Sequence, residues 1–519
     1  MQRDIVVRHH SFLQSLRFAI KKKMSVTEYV LVNYRWVFVC FFLLPISVLY
    51  DILSHIRNKI IFKLSSAPKL HNYKVKHVQK QVQTWNKSNQ QVQMCTSRPG
   101  WQTMSFRRPA YKKTMFNVKV NLVDILEIDE RKQTVRLEPL VTMGQLTATL
   151  APLGWTIPVL PEIDDLTVGG MVMGTGIESS SHIYGLFQHI CVSYELVLSD
   201  GSVVTCSKDE NPDLYYSVPW SYGTLGFLTA VEIRLIPAKK YVRLEYKAYN
   251  NMDVCMKKFK EAAEDKNNEF VEGLMYNKDQ VVIMTGKMTD DVEADKINEI
   301  GKWYKPWFFE HVKSFISVGV GVEYIPLRDY YHRHTRSIFW ELQDIIPFGN
   351  NPIFRFILGW AVPPKVSLLK LTQTQAVKEL YENNHIIQDM LIPIEELKNA
   401  IEIFDSKVRV YPIWLCPFIL TDEPFLVHSR NSGEELYVDV GVYGVPKVKG
   451  FKPVETTRSL EEFVRKVKGF QMLYADTYMT EQEFREMFDH SLYDKVREKL
   501  KCEKAFPEVY GKVNRKVRL

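Results

Sequence analysis

Between Pro161 and Gly185 the chain reads PEIDDLTVGGMVMGTGIESSSHIYG, and no other stretch constrains its fold as tightly. Gly169, Gly170, Gly174 and Gly176 fall within eight positions, among Thr167, Thr175, Ser179, Ser180 and Ser181. A pyrophosphate needs several backbone N–H donors converging on it. Glycine allows close approach and positive φ there, and hydroxyls add donors. The segment holds no lysine, so a Walker-type P-loop is excluded. Gly174-Thr175-Gly176 lacks the third glycine of G-x-G-x-x-G, and no βαβ unit with a following acidic residue is evident. The competing reading is a cluster of tight turns that binds nothing. The hydroxyl density counts against it, as do two companion segments: Glu138-Pro139-Leu140 leading into Thr142-Met143-Gly144, and Trp220 to Phe227, WSYGTLGF.

Around this segment, from about Phe62 to Pro237, short β-rich runs alternate with short helical patterns. Thr134 to Leu140 reads as a strand and Gly144 to Leu153 as a helix. Glu195 to Leu198 and Ser202 to Thr205 flank Asp200-Gly201, a two-residue hairpin turn. A second α+β region is expected over 238–454, and a charged helical one over 455–519 that packs back on the first. A chain of 519 residues is too long for one core, which agrees with this division. The formal net charge of +8 comes from scattered Lys and Arg, with a cluster at Lys512, Arg515, Lys516 and Arg518. A basic surface facing anionic lipid explains that better than nucleic-acid binding. The seven cysteines are far apart, with no C-x-x-C or zinc spacing, which points to a reducing compartment and to no metal.

Val37 to Leu49 is an uncharged run, VFVCFFLLPISVL. It is shorter than the ~20 residues a spanning helix needs. Extension to 29–55, behind a tail of residues 1–28, supplies the length if Arg35 snorkels. A retained single-pass anchor is expected, with Lys21, Lys22 and Lys23 before it and Arg57, Lys59 and Lys63 after it. A cleaved signal peptide lacks a cleavage site, and a buried core helix is the remaining alternative. Glycosylation of Asn86 in Asn86-Lys87-Ser88 would oppose a cytosolic placement of the rest.

The ordered set E-P-L-V-x-x-G-x-L, T-V-G-G, Y-G-L-F, E-L-V-L-x-D-G and G-T-L-G-F resembles the FAD-binding domain of the vanillyl-alcohol oxidase/p-cresol methylhydroxylase superfamily. More narrowly, from Glu28 to Tyr510 the chain resembles the delta-24-sterol reductases. Arg35 to Cys40, Lys63 to Pro68, Arg98 to Trp101, Tyr330 to Asn351 and Tyr411 to Trp414 carry this. The resemblance implies an α+β fold: a two-subdomain FAD-binding domain over 62–237, a substrate-capping domain and an N-terminal membrane helix. It implies non-covalent FAD on Arg98, Pro99, Gly100 and Trp101, on Thr167, Val168, Gly169, Gly170, Met171, Val172, Met173, Gly174, Thr175, Gly176 and Ile177, on Glu178, Ser179, Ser180 and His182, and on Gly223, Thr224 and Gly226. His182 and Cys191 are the nearest candidates for a covalent flavin tether, and a structural role fits both better.

The implied reaction is NADPH-dependent reduction of the carbon 24 double bond of a sterol. The implied setting is the endoplasmic reticulum or Golgi membrane, with the catalytic part cytosolic and other sterol-synthesis enzymes as partners. An isolated alkene is a poor electrophile, so a buried acid is required. Glu341, His334 and Tyr474 are the leading candidates, with His332 and Asp476 behind them. For each, a structural role competes, such as pairing of Arg333 and Arg336 with Glu341 and Asp344. Two other functions share the glycine segment: an FAD oxidase of a small alcohol, phenol or sugar acid, and a non-catalytic sterol-binding protein.

Overall fold

The computed structural model describes residues 26–63, 66–88, 92–99, 110–363, 369, 374–429 and 431–518. The expected helix over 29–55 is broken once, at Tyr34, between Val26–Asn33 and Arg35–Phe38. It then runs on through a π-helical turn, Val39–Leu43, into Leu44–Lys63. Arg35–Ser54, 20 residues, is long and apolar enough to cross a membrane, with a mean hydropathy of 2.2 over an 18-residue stretch of it. A second long helix, Ser66–Lys87, follows and lies on the first sheet.

The chain then forms a parallel pair, β1 (Met94–Thr96) with β2 (Phe116–Val118). An antiparallel sheet follows, built from β3 (Ile125–Asp129), β4 (Thr134–Leu137), β6 (Cys191–Val197), β7 (Val203–Ser207) and β8 (Phe227–Arg234). Its spatial order is β3-β4-β8-β6-β7. β6 and β7 are the hairpin expected around Asp200-Gly201: Gly201 takes φ +88°, and Asp200 Oδ1 accepts from Ser202 N at 2.8 Å. The helix expected near Gly144 is Met143–Leu150, capped by the Thr142 hydroxyl, which accepts from Gln145 N. The extended run after Trp155 pairs over only two residues, β5 (Trp155–Thr156) with β9 (Ile236–Pro237).

A second, eight-stranded antiparallel sheet contains β10 (Tyr241–Tyr249), β11 (Phe270–Asn277), β12 (Gln280–Thr289), β13 (Val320–Pro326), β14 (Ile386–Pro393), β15 (Ile413–Leu420), β16 (Glu435–Gly444) and β17 (Phe470–Gln471). Its order is β13-β10-β12-β11-β15-β16-β14-β17. β14 to β16 are almost wholly buried, so they lack the alternation of a half-solvated strand.

The C-terminal segment returns to the first sheet. Arg497 donates to Thr224 O, Phe506 O and Pro507 O, Met94 N donates to Ala505 O, and Phe227 meets Phe506 edge-on. Lys512 and Arg515 do not form the expected lipid-facing cluster. Lys512 is buried against Tyr222 O, and Arg515 is ion-paired to Asp476 at 3.0 Å and Glu382 at 2.9 Å.

Candidate active site

A cavity of about 760 Å3 lies between the two sheets, and residues from both line it. On one wall stand Thr167, Gly169, Gly170, Met171, Met173, Gly174, Thr175, Gly176 and Ile177. Gly223 and Gly226 join them from the turn before β8, and Arg98 and Pro99 from the strand-end after β1. Val168 and Val172 are buried behind this wall. Gly100 and Trp101 lie outside the described residues.

The segment is not a simple loop. Thr167 caps a seven-residue helix, Val168–Gly174, by accepting from Gly170 N. The amides of Val168 and Gly169 donate to Val141 O and Pro139 O, which holds the wall on the Glu138–Leu140 segment. The glycines serve close packing here rather than positive φ. A Cβ on Gly169 would lie 2.7 Å from Pro139 Cβ, and one on Gly176 2.7 Å from Pro161 Cγ. The residue with positive φ is Thr175, at +83°. Beyond it, the amides of Gly176 and Ile177 donate to no group among the described residues. Arg98 donates to the Thr167 hydroxyl at 3.1 Å, bringing its charge to the same wall. Lys112, which sequence reasoning passed over, and Lys512, which it placed in a lipid-facing cluster, line the cavity as well. Burial, with Lys112 adding to it, brings Lys512 down to about 8. The wall therefore offers backbone donors and three cationic side chains without a P-loop lysine, and it fits a dinucleotide pyrophosphate. The cavity volume falls inside the ~300–1,000 Å3 range of ligand sites.

The second half of the segment turns away from the cavity and joins the sheets. Ser179 O accepts from Val271 N of β11 at 2.7 Å. The Ser179 hydroxyl meets Tyr330 Oη at 2.9 Å, and Ser180 Oγ donates to Pro158 O. Glu178 is fully buried and pairs with Arg333 at 2.9 Å. His182 is engaged through both ring nitrogens, with Ser179 O and Asn268 O. Cys191 is buried, its thiol pushed up to about 12, and bonds Phe187 O. Neither residue is among the cavity-lining side chains. Thr224 also stands off the lining, with its hydroxyl 2.6 Å from Tyr493 Oη.

On the opposite wall, the structure brings Tyr474 and Glu341 to the cavity and leaves His334 behind it. His334 stacks on Phe339 and meets Glu272 at 3.3 Å inside a fully buried network. Burial lowers its affinity for a proton, despite the carboxylate beside it. Glu341 lies 3.1 Å from His385. Burial opposes the His385 charge, but Glu341 and Asp344 together outweigh it and hold the imidazolium up to about 10. The arginine pairing imagined for Glu341 and Asp344 is not what forms. Arg333 pairs with Glu178 and Glu272, and Arg336 donates to the carbonyls of Ile300, Lys302, Trp303 and Lys305. His332 bridges Asp164 and Thr147, and Asp476 binds Arg515.

Tyr474 donates to Asp389 Oδ2 at 2.6 Å, and Tyr443 donates to the other oxygen, Oδ1. All three residues line the cavity beside Trp414 and Phe339. β14 supplies Asp389 and β16 supplies Tyr443, with Asp389 facing Gly441 across the ladder. A side chain at 441 would occupy the space of the Tyr443–Asp389 contact. Met472 N donates to Asp389 O and sets the chain that carries Tyr474. Burial lifts the Asp389 carboxyl to about 6. Asp389 and Tyr443 were missed in the sequence. The available signal was an aspartate within a mostly apolar strand, IIQDMLIP, where a carboxylate is costly unless it has a task. Nearby, Ile338 and Phe339 hold φ +48° and +56°, a strained conformation for bulky residues at the cavity edge.

The FAD binding domain family matches residues 73–207, inside the 62–237 expected from the motifs. The match, with the donor-rich wall and the buried acid facing it, defines an FAD-binding oxidoreductase. The Delta(24)-sterol reductase of Homo sapiens is 59% identical over 96% of this chain and 97% of its own length. A Delta(24)-sterol reductase homolog of Caenorhabditis elegans is 47% identical over 94% and 96%. The Delta(24)-sterol reductase of Arabidopsis thaliana is 39% identical over 97% and 95%. The chain belongs to the Delta(24)-sterol reductase family.

Proposed function

We propose that this protein reduces the carbon 24 side-chain double bond of a sterol, with NADPH as reductant and FAD held non-covalently. The observation that carries this reading is the Tyr474–Asp389–Tyr443 cluster opening into the same cavity as the glycine wall. Arg98, Lys112 and Lys512, with the amides of Gly176 and Ile177, would hold the pyrophosphate. FAD, when bound, supplies the hydride for one alkene carbon. Tyr474 gives its hydroxyl proton to the other carbon, and protonated Asp389 replaces that proton across the 2.6 Å bond. Tyr443 holds the second Asp389 oxygen and keeps the carboxyl aimed. The rings of Trp414 and Phe339, packed edge-on with centroids 5.2 Å apart, would border the carbon that becomes electron-poor. Glu341, held by charged His385, serves as an ion-pair partner rather than as the acid.

The division into 62–237, 238–454 and 455–519 accompanies this reading: cofactor wall, acid wall and closing segment. The protein acts at the endoplasmic reticulum membrane with these parts in the cytosol. Asn86 supports that placement, because its amide donates to Ser199 O and holds it against the first sheet, away from a glycan. The test is an anaerobic titration of the detergent-purified, flavin-loaded protein. NADPH bleaches the flavin absorbance, and a sterol bearing the side-chain alkene restores it. Bleaching that only oxygen reverses, with peroxide formed, would assign the protein to the oxidases instead.

A further inference from the structure

The apolar N-terminal helix meets the protein body near both of its ends. At its start, Arg35 donates to Tyr381 Oη at 3.1 Å and to Leu369 O at 3.0 Å. Trp36 meets Phe348 edge-on at 5.1 Å. Val39, Cys40, Leu43, Leu44 and Ser47 then form a stripe at helical spacing, all buried against the body. The helix Leu44–Lys63 also packs on the turn Gly359–Ala361, and Arg57 reaches Asp124 of the first sheet region at 3.9 Å. Twenty helical residues measure ~30 Å, the full thickness of a bilayer core. A crossing helix of that length leaves its protein at one end. This one is seated from Arg35 to Ser47 and meets the body again at Arg57, with Leu49 to Leu53 exposed between, Asp51 among them.

Its other face is bare and apolar: Phe41 is 66% exposed and Leu53 is 67% exposed. A second bare face adjoins it. The short helix Pro352–Leu358 and the turn Gly359–Ala361 expose Ile353, Phe356 (74%), Ile357 and Trp360 (58%). Phe348 joins the two, packing on Trp36 on one side and on Phe354 on the other. The only charge on this helix, Arg355, is folded back to donate to Tyr304 O at 2.7 Å, which leaves the outer face uncharged. Ten residues span ~15 Å, too short to cross a bilayer and suited to lying in its surface.

We propose that these two elements form one platform that inserts into a single lipid leaflet, so that the N-terminal helix lies along the membrane and does not cross it. Arg35 and Tyr381 also line the cavity, so the platform and the cavity meet at that point.

The experiment uses the full chain with an epitope tag at each terminus, in sealed microsomes. A helix lying in one leaflet leaves both tags open to added protease; one protected tag would overturn the proposal. A second measurement places an environment-sensitive fluorophore on Phe41→Cys or Phe356→Cys. Both sites are exposed, so folding is spared, and all seven native cysteines are buried and unpaired. Addition of phosphatidylcholine vesicles raises emission several-fold at both positions, and shallow lipid-borne quenchers reverse it. A probe at 356 that ignores vesicles refutes the shared platform. Emission that instead rises with protein concentration, without lipid, assigns the face to self-association and equally overturns the proposal.

Discussion

A carboxyl lifted to about 6 inside an apolar wall is matched to donate a proton near neutral pH, and Asp389 is such a group. Asp389→Asn keeps the shape and the contact with Tyr474 but removes the exchangeable acid. Turnover with bound flavin should fall by about 10^2- to 10^4-fold, the usual contribution of general acid catalysis, while flavin content stays unchanged. Tyr474→Phe should fall comparably, because it breaks the 2.6 Å link to the cavity. A variant at either position with full turnover would remove the cluster from the chemistry. The pH dependence has a definite sign. Protonated Asp389 is the active form, so kcat/KM should be flat on the acid side and fall as pH rises through about 6. Stability moves the same way. The folded pKa lies above the unfolded value, so the contribution is full below the ordinary aspartate range and is lost by the time pH passes about 6. The pH-rate profile of Asp389→Asn, where the limb near 6 should vanish, tests both. This residue was hidden in the sequence because its partners, Tyr443 and Tyr474, are 54 and 85 positions away. Tyr474 could be singled out as a donor, while the one local sign of Asp389 was its place in a mostly apolar strand. Lys112 and Lys512 were hidden for the same reason: they reach the phosphate wall from opposite ends of the chain.

The glycine wall shows what an element can disclose from its own sequence. Its glycine and hydroxyl content singled out a segment that does line the cavity, the proposed place of a dinucleotide, and the Asp200-Gly201 hairpin and the Thr142-capped helix were legible from local turn and capping chemistry. Why each glycine is needed was not legible, because the crowding atoms belong to Pro139 and Pro161 on other segments. Nor could the glycine run reveal that its second half, Glu178 to His182, binds the other sheet instead of the cavity. Gly169→Ala forces a methyl against Pro139 and should cost about 1–3 kcal/mol of stability, as overpacking does. Flavin should be lost during purification, because the wall moves. Gly511→Ala is the control. No atom lies within 4 Å of its added carbon, and the site is helical, so the change should be neutral or stabilising by about 0.5–1 kcal/mol. Thermal unfolding and flavin-to-protein absorbance ratios measure both. Similar losses in the two variants would contradict the role of the Pro139 contact.

At the scale of the whole molecule, the cavity lies between two sheets, and one buried ion network ties the glycine segment to the second of them. Strand order in the second sheet was beyond local pattern, since β11 and β15 pair Gly273 with Leu415 across 142 positions. The joint was equally out of reach: Arg333 reaches Glu178 of the glycine segment and Glu272 of β11, all three with fully buried side chains. Burial opposes charge on Glu272, and Arg333 and His334 together outweigh it, so the carboxyl sits well below the ordinary range. Trp414, on the cavity wall, donates to the same Glu272 at 3.0 Å, which ties the joint to the acid wall. Arg333→Met leaves two buried carboxylates without their cation. That should cost about 3–5 kcal/mol, the range for breaking a buried ion pair on one side. The melting temperature should fall, and the flavin site should loosen, because Glu178 continues directly from the wall. Adding Glu178→Gln to Arg333→Met removes one of the stranded charges and should restore part of the loss. If the double variant melts no higher than the single one, the cost came from packing around the guanidinium, which lies 4.3 Å over the Tyr330 ring, and not from unpaired charge. The two outcomes separate an electrostatic joint from a steric one, and only the electrostatic joint couples the cofactor wall to the acid wall through a group that both sides share.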